Sequence, residues 1–305
     1  MKKIQLAALA LVASMSMSAE NTTKLRVWIG GEKTEYELSM VDSLTFCTNT
    51  DDEPEDPEAS LAGVFSVSAD KQVKFSQGNL QYTQSTDTWA FAENQYDIIG
   101  GANVDGEHLA DKIDLFGWSG RGASTAKWGV STSTSDNYYT GDFAEWGVNI
   151  DDTRWRTLSY DEWKYVVSNR TDADSKKGVA RINLNAEGTT YANGLILLPD
   201  TWNCPEDVTF KSGFASESSE QAYADYQTFT LEEWSKLEAA GAVFLPATGN
   251  RVGLSVGLSL LGLYWSSTCS SDLRYAYGPH FGPNEIIWFY DYRCDGRAVR
   301  LVHDL

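Results

Sequence analysis

Histidine and cysteine are scarce in this chain of 305 residues, and neither type is spaced for metal or redox chemistry. The sequence has three histidines and four cysteines. None of them forms the CxxC or HxxxH spacing on which zinc and dithiol sites depend. We therefore expect no metal site, no cofactor and no catalytic residue.

Basic residues are also few, since 24 lysines and arginines stand against 43 acidic residues, for a net charge of -19. A surface of this sign repels phosphate backbones and anionic membrane surfaces. Nucleic acid is therefore excluded as an expected partner.

Long apolar runs are missing as well. The ten-residue run from Ile4 to Ala13 is shorter than the roughly 18 residues that a membrane-spanning helix requires. It follows Met1-Lys2-Lys3 and precedes small residues, which is the pattern of a secretory signal peptide over residues 1–19. We expect an exported protein, at the cell surface or secreted, with no transmembrane segment in the mature chain.

Two short segments follow the signal peptide. Apolar and polar residues alternate within 20–49 on both sides of Gly30-Gly31, which predicts a small β-hairpin. Within 50–60, six acidic residues and two prolines occur in the eight residues 51–58, which predicts an extended linker.

Residues 61–305 are predicted to form one α+β domain of short strands, two helices and long loops anchored by aromatic residues. The helices begin at the capping boxes Ser159-x-x-Glu162 and Thr230-x-x-Glu233, and Gly241 ends the second. Short β-rich runs bounded by turn residues include 64–67, 73–75, 80–82, 89–91, 195–198 and 243–245.

Several blocks of this domain resemble a known family: Gly194–Pro199, Trp202, Phe244–Ala247, Tyr264–Ser267 and Gly296–Val302. They are similar to a C-type lectin-fold domain of the formylglycine-generating-enzyme type, and in particular to the variable proteins of diversity-generating retroelements in Bacteroidales. The resemblance implies a short-stranded, mostly antiparallel C-type lectin fold. It also implies a binding surface that a reverse transcriptase rewrites at template adenines.

The composition of the C-terminal part fits that implication. Randomising both adenines of an asparagine codon cannot give Lys, Gln, Glu, Met or Trp. No Lys, Gln or Met occurs from Leu237 to Leu305, and only Glu285 and Trp288 between Cys269 and Asp295 lie outside the reachable set. The candidate variable region is 252–295, although the leucine-rich stretch from Val252 to Leu263 is equally typical of a buried strand.

The resemblance divides this region into variable positions and fixed anchors. The predicted ligand-binding residues are Leu263, Cys269, Ser270, Ser271, Asp272, Leu273, Arg274, Tyr275, Gly278, His280, Pro283, Asn284, Ile287, Phe289, Tyr290, Asp291, Tyr292, Cys294 and Asp295. The predicted anchors are Tyr264, Trp265, Ser266, Ser267, Ala276, Tyr277, Phe281, Arg297, Val299 and Arg300. Tyrosine, small polar residues and arginine together are typical of antibody-like binding surfaces.

Two local alternatives remain open in this segment. Cys269 and Cys294 form a disulfide in one interpretation and are chance products of variation in the other. Pro283-Asn284-Glu285 contains the residues of the calcium and sugar motif of animal C-type lectins in a different order.

The sequence predicts a binding protein, with no enzymatic activity, for an extracellular protein or glycan ligand. The alternatives are an enzyme related to the formylglycine-generating oxidases, which the absence of a close cysteine pair disfavours, and a fixed structural adhesin subunit. The oligomeric state has no signature in the sequence.

Sequencing the DNA that flanks the gene tests the resemblance. We expect a reverse-transcriptase gene and a near-repeat of the codons for residues 254–302 that differs only at adenines of the template copy. Flanking DNA without such a repeat would contradict diversification.

Overall fold

The computed structural model describes residues 4–7, 24–29, 32–37, 44–47, 59–118, 142–150, 154–257 and 260–305. The chain divides into two compact units, Met1–Asp56 and Pro57–Leu305. The predicted acidic linker, apart from residues 59 and 60, and the predicted signal peptide, apart from residues 4–7, lie outside the described residues.

The first unit contains two strand pairs. Its strands are β1 (Ile4–Ala7), β2 (Lys24–Ile29), β3 (Glu32–Glu37) and β4 (Leu44–Cys47). Strands β2 and β3 pair antiparallel on either side of the predicted Gly30-Gly31 turn. Strand β1, which lies inside the predicted signal peptide, pairs in parallel with β4.

The second unit contains eighteen described strands, most of them short. They are β5 (Ser60–Ser66), β6 (Gln72–Ser76), β7 (Leu80–Thr83), β8 (Thr88–Phe91), β9 (Val104–Asp105), β10 (His108–Leu109), β11 (Lys112–Ile113), β12 (Trp155–Thr157), β13 (Lys177–Asn183), β14 (Tyr191–Leu197), β15 (Thr228–Thr230), β16 (Val243–Pro246), β17 (Asn250–Val252), β18 (Ser255–Gly257), β19 (Gly262–Leu263), β20 (Tyr275–Phe281), β21 (Ile286–Tyr292) and β22 (Leu301–Asp304). Each of the six β-rich runs predicted from the sequence overlaps one of these strands.

These strands form small sheets that are mostly antiparallel. One four-stranded sheet has the order β12-β22-β6-β5, so the last strand lies beside the first strands of the unit. A second has the order β15-β13-β14-β16, in which only the β13–β15 pair is parallel. Two three-stranded sheets have the orders β11-β7-β8 and β19-β20-β21, and the latter carries nine of the nineteen predicted ligand-binding residues.

Three α-helices occur among the described residues: α1 (Tyr160–Lys164), α2 (Glu220–Tyr226) and α3 (Leu231–Ala239). Both predicted capping boxes are formed, at Ser159 and Thr230, and α1 continues into a π-helical turn at residues 165–169. Helix α2 corrects the prediction of two helices. Its N-cap Ser219 is followed three residues later by Ala222, so the sequence has no capping box there.

Six tryptophans are almost completely buried in the core: Trp118, Trp146, Trp155, Trp163, Trp234 and Trp265. Trp163 of α1 and Trp234 of α3 lie on the faces that the helical spacing assigns to the core. The large aromatic side chains supply apolar contact area that the short strands alone do not.

The coarse fold prediction is confirmed: the described residues form an α+β structure of small, mostly antiparallel sheets with few helices. None of the helices among the described residues combines the length and the apolar content needed to cross a membrane.

Gly278 of β20 lies directly against the backbone of Tyr264, and no larger residue fits there. A Cβ atom on Gly278 would lie 1.7 Å from the carbonyl oxygen of Tyr264, which belongs to the backbone and cannot rotate away. We expect Gly278→Ala to lower the free energy of unfolding by about 1–3 kcal/mol or more, because β20 must move to admit the methyl group.

The matched control is Gly101→Ala, since nothing lies within 4 Å of a Cβ atom there. We expect the control to change stability by no more than about 0.5 kcal/mol in urea unfolding. Equal stabilities of the two variants would contradict the close approach at Gly278.

Candidate functional site

Most of the predicted ligand-binding residues lie on or beside the β20–β21 hairpin. The two strands pair antiparallel over seven residues each, from Tyr275 opposite Tyr292 to Phe281 opposite Ile286. Strand β20 lies between β19 and β21, so β21 is the edge strand of this sheet. A central strand is covered by both neighbours, and an edge strand is not.

Hydrogen bonds from two buried indole groups fix the segment that precedes the hairpin. Trp265 Nε1 donates to the Phe116 carbonyl oxygen at 2.6 Å, and Trp118 Nε1 donates to the Ser266 carbonyl oxygen at 2.7 Å. The Ser266 hydroxyl donates to the Tyr277 carbonyl oxygen at 2.7 Å, which extends these contacts to β20. Rigid elements beneath the hairpin therefore set its position.

The predicted anchors occupy this supporting layer. Eight of the ten are buried: Tyr264, Trp265, Ser266, Ala276, Phe281, Arg297, Val299 and Arg300. Ser267 and Tyr277 are half-buried.

Six aromatic rings form one continuous layer on the hairpin and the start of α1. We call this layer the aromatic surface: Tyr160, Tyr275, Tyr277, Trp288, Tyr290 and Tyr292. Centroids of contacting rings within it are 4.7–5.8 Å apart. The five hairpin members share a face because alternate residues of paired strands point the same way. Tyr160 adjoins them from α1.

The edge strand exposes apolar area on both of its faces. On the aromatic surface, 44% of Tyr290 and 37% of Tyr292 are accessible to solvent. On the opposite face, Ile287 is 43% and Phe289 is 48% exposed. Contiguous exposed apolar groups on a soluble domain are typical of interaction sites.

Two cations flank the aromatic surface at its ends. Lys164 Nζ lies 4.4 Å from the ring centroid of Tyr160 and 5.9 Å from that of Trp288. The Arg274 guanidinium lies 5.3 Å from the Tyr275 ring and pairs with Asp272 at 2.6 Å. Among the described residues, no carboxylate oxygen lies within 4.0 Å of the Lys164 ammonium.

The predicted ligand-binding residues differ widely in exposure. Eight are exposed: Ser271, Asp272, Leu273, Arg274, Ile287, Phe289, Tyr290 and Tyr292. Four are half-buried: Cys269, Tyr275, Asn284 and Asp291. Seven are buried: Leu263, Ser270, Gly278, His280, Pro283, Cys294 and Asp295. These seven side chains are almost inaccessible to solvent, so only part of the predicted set is available at the surface.

Two of these residues belong to a charged cluster under the hairpin. His280 Nε2 lies 2.9 Å from Asp291 Oδ2, and Arg297 Nη2 lies 2.6 Å from the same oxygen. Burial lowers the pKa of His280, and the charge of Arg297 lowers it further, against the raising effect of Asp291. Burial raises the pKa of Asp291, but His280 and Arg297 outweigh it and hold that pKa below its usual value. At neutral pH the cluster therefore contains a neutral imidazole beside an Asp291–Arg297 ion pair.

Asp295 is the second acidic group of this buried region. Burial raises its pKa to about 6, although the neighbouring charges of Arg297 and Arg251 favour the carboxylate. Asp291 opposes them, because a second negative charge nearby disfavours ionisation of Asp295.

Sequence reasoning missed four residues of the aromatic surface and its border: Tyr160, Lys164 and Trp288, and also Tyr277, which it predicted as an anchor. Tyr160 and Lys164 belong to α1, more than a hundred positions before the hairpin, and no spacing rule connects them to it. The resemblance excludes Trp288 from the variable positions, because tryptophan is unreachable from an asparagine codon. Its position in β21, two residues from Tyr290, was the available signal, since alternation places both on one face.

The two open local alternatives have plain structural outcomes. Cys269 and Cys294 are not joined by a disulfide. Pro283, Asn284 and Glu285 form the turn between β20 and β21, where Gly282 N donates to the Glu285 carbonyl oxygen at 2.8 Å. Within the part of the chain that the structure describes, no three His, Cys, Asp or Glu side chains are grouped as metal ligands.

Asp295→Asn tests the electrostatics of the buried cluster. Because the pKa of Asp295 is higher in the folded chain than the ordinary value of 3.8, its contribution to stability is complete below about pH 4 and is lost as the pH rises through about 6. We expect Asp295→Asn to raise the free energy of unfolding at pH 7.5 by roughly 2–3 kcal/mol and to have little effect at pH 4.

Urea unfolding at both pH values measures this difference. Asp272→Asn is the control, since Asp272 is exposed and its surface ion pair with Arg274 contributes little to stability. A stability gain for Asp295→Asn that is equal at both pH values would contradict the raised pKa.

Comparison with known proteins identifies no relative. No family model matches the chain, and no curated protein or solved structure matches it. The C-type lectin fold and the likeness to retroelement variable proteins therefore stay predictions.

Proposed function

We propose that this chain is an exported ligand-binding protein whose C-terminal unit adopts a C-type lectin fold and presents the aromatic surface to an extracellular protein or glycan. The observation that carries the proposal is the aromatic surface itself: six contacting rings, five on a hairpin that is hydrogen-bonded to the core and one on α1. Its mechanism is recognition, and no bond is made or broken.

The chemistry of this surface suits recognition. Tyrosine offers a large contact area and a polar hydroxyl while losing little conformational entropy on binding. Arg274 and the exposed Ser271 and Asp272 add polar groups at the border. Rings held by their neighbours are already ordered, which reduces the entropic cost of binding.

We include diversification by a retroelement in the proposal because of the composition of the C-terminal part, where no Lys, Gln or Met occurs from Leu237 to Leu305. Trp288, Tyr160 and Lys164 are the fixed members beside the predicted ligand-binding residues, the first by its codon and the others by their position outside the candidate variable region. These three fixed residues would then lie beside positions whose residue type varies.

The variant Tyr290→Ala/Tyr292→Ala tests the site. For each ligand found by screening immobilised glycans and secreted proteins against the whole chain, we expect the affinity to fall at least tenfold. Loss of two central aromatic contacts costs about 2 kcal/mol or more in such interfaces. Titration calorimetry or surface plasmon resonance measures the change.

The matched control is Tyr191→Ala on β14, because Tyr191 is 37% exposed, the same fraction as Tyr292, and lies outside the aromatic surface. The control should bind like the parent, and all variants should retain the parent's melting temperature within a few degrees. Undiminished binding by the double variant would refute the proposed site.

A further inference from the structure

The hydrogen-bond pattern of the hairpin determines which backbone groups of β21 are free. Hydrogen bonds at its two ends, from Gly282 N to Glu285 O at 2.8 Å and from Arg293 N to Arg274 O at 2.9 Å, identify bonded residue pairs. In an antiparallel ladder, bonded and non-bonded pairs alternate. The register therefore makes Ile287, Phe289 and Asp291 the β21 residues that bond to β20.

The alternate residues of β21 direct their N–H and C=O groups away from β20: Ile286, Trp288, Tyr290 and Tyr292. We call these groups the outward groups. Among the described residues, Asp295 N bonds to the Tyr292 carbonyl oxygen at 2.9 Å, and no other backbone hydrogen bond reaches an outward group. Three of the four residues carry rings of the aromatic surface.

Strand β21 also lacks the features that protect most edge strands from pairing. It contains no lysine or proline, and its register with β20 has no bulge over seven residues. Its one charged residue, Asp291, is held by Arg297 beneath the hairpin.

The geometry points to an extended polypeptide segment of a protein ligand as the occupant of this edge, added as a further strand beside β21 and carrying a carboxylate that pairs with Lys164. This inference rests on the proposed function and commits it to a protein ligand. Lys164 supplies the charge complementarity, since its ammonium adjoins Trp288 and has no carboxylate within 4.0 Å among the described residues.

The spacing of the outward groups favours a polypeptide over a glycan. Donors and acceptors recur along the edge every second residue, about 6.8 Å apart, which is the repeat of another β-strand. Strand addition gives affinity through these backbone bonds and specificity through alternate side chains. A second copy of this chain is a poorer occupant, because two chains of net charge -19 repel each other.

Amide hydrogen exchange, followed by NMR on the whole chain, tests whether the edge is free. In the unliganded protein we expect the amides of Ile286, Trp288 and Tyr290 to exchange at least tenfold faster than those of Ile287, Phe289 and Asp291. Equal protection of both sets would overturn the inference, because the edge would already be covered by this chain or by a second copy.

The binding test uses a displayed library of random twelve-residue peptides as the probe. We expect the enriched peptides to contain Asp or Glu, to protect the amides of Ile286, Trp288 and Tyr290 on binding, and to bind more weakly to Lys164→Gln.

Tyr290→Pro and Tyr290→Ala form the matched pair for this probe. Both remove the ring, but only proline also removes the outward N–H, and a non-bonded position leaves the ladder with β20 intact. We expect Tyr290→Pro to lose at least tenfold more affinity than Tyr290→Ala. If the proline variant does not fold, peptides N-methylated at every second amide replace it: one of the two methylation patterns should abolish binding and the other should spare it.

The outcomes separate this inference from the proposed function. Peptides or glycans that bind, lose affinity on Tyr290→Ala/Tyr292→Ala and leave the outward amides unprotected would overturn strand addition while supporting the aromatic surface as a site. A library in which no peptide enriches would also overturn strand addition. Ligands that bind the double variant as tightly as the parent would overturn the proposed function itself.

Discussion

The position of the hairpin depends on one buried residue, Arg297. The backbone N–H of Arg297 donates to the Phe116 carbonyl oxygen at 3.0 Å, and the Arg297 carbonyl oxygen accepts from the Phe116 N–H at 2.9 Å. The Arg297 guanidinium pairs with Asp291 of β21 at 2.6 Å. The guanidinium also lies 5.1 Å from the ring of Trp265. Removing one partner of such a buried pair leaves an uncompensated charge and costs about 3–5 kcal/mol. Arg297 therefore joins the edge strand to the core through a contact that tolerates no simple replacement.

The two strands of the hairpin differ in burial. Strand β20 is buried along most of its length, with Gly278 against Tyr264 and His280 in the charged cluster. Strand β21 is held by the ion pair of Asp291 and by Ile286 and Trp288, which pack against the core, and its other side chains are exposed. Substitutions on β20 therefore change the packing of the core, whereas substitutions at the exposed positions of β21 change only the surface.

The sequence predicted the features that local rules specify. Both capping boxes, the Gly241 helix end and six of the strands follow from residue types at short spacing, and each is present. The sequence did not predict which residues of the candidate variable region are buried. The residue types that a codon can reach do not indicate that β20 is the central strand of its sheet. Tyr160 and Lys164 reach the site only through tertiary packing, which no spacing in the sequence encodes.

Under the two proposals, strand addition and diversification place complementary demands on β21: the first uses its backbone and the second its exposed side chains. Backbone hydrogen bonds do not depend on side-chain identity, so an edge such as this one offers every protein ligand the same repeating donors and acceptors. The exposed side chains of Ile287, Phe289, Tyr290 and Tyr292 then decide which ligand is retained. Because Asp291, Trp288 and the layer beneath them hold the strand in place, changes at the exposed positions alter specificity without altering the edge that provides the common part of the affinity.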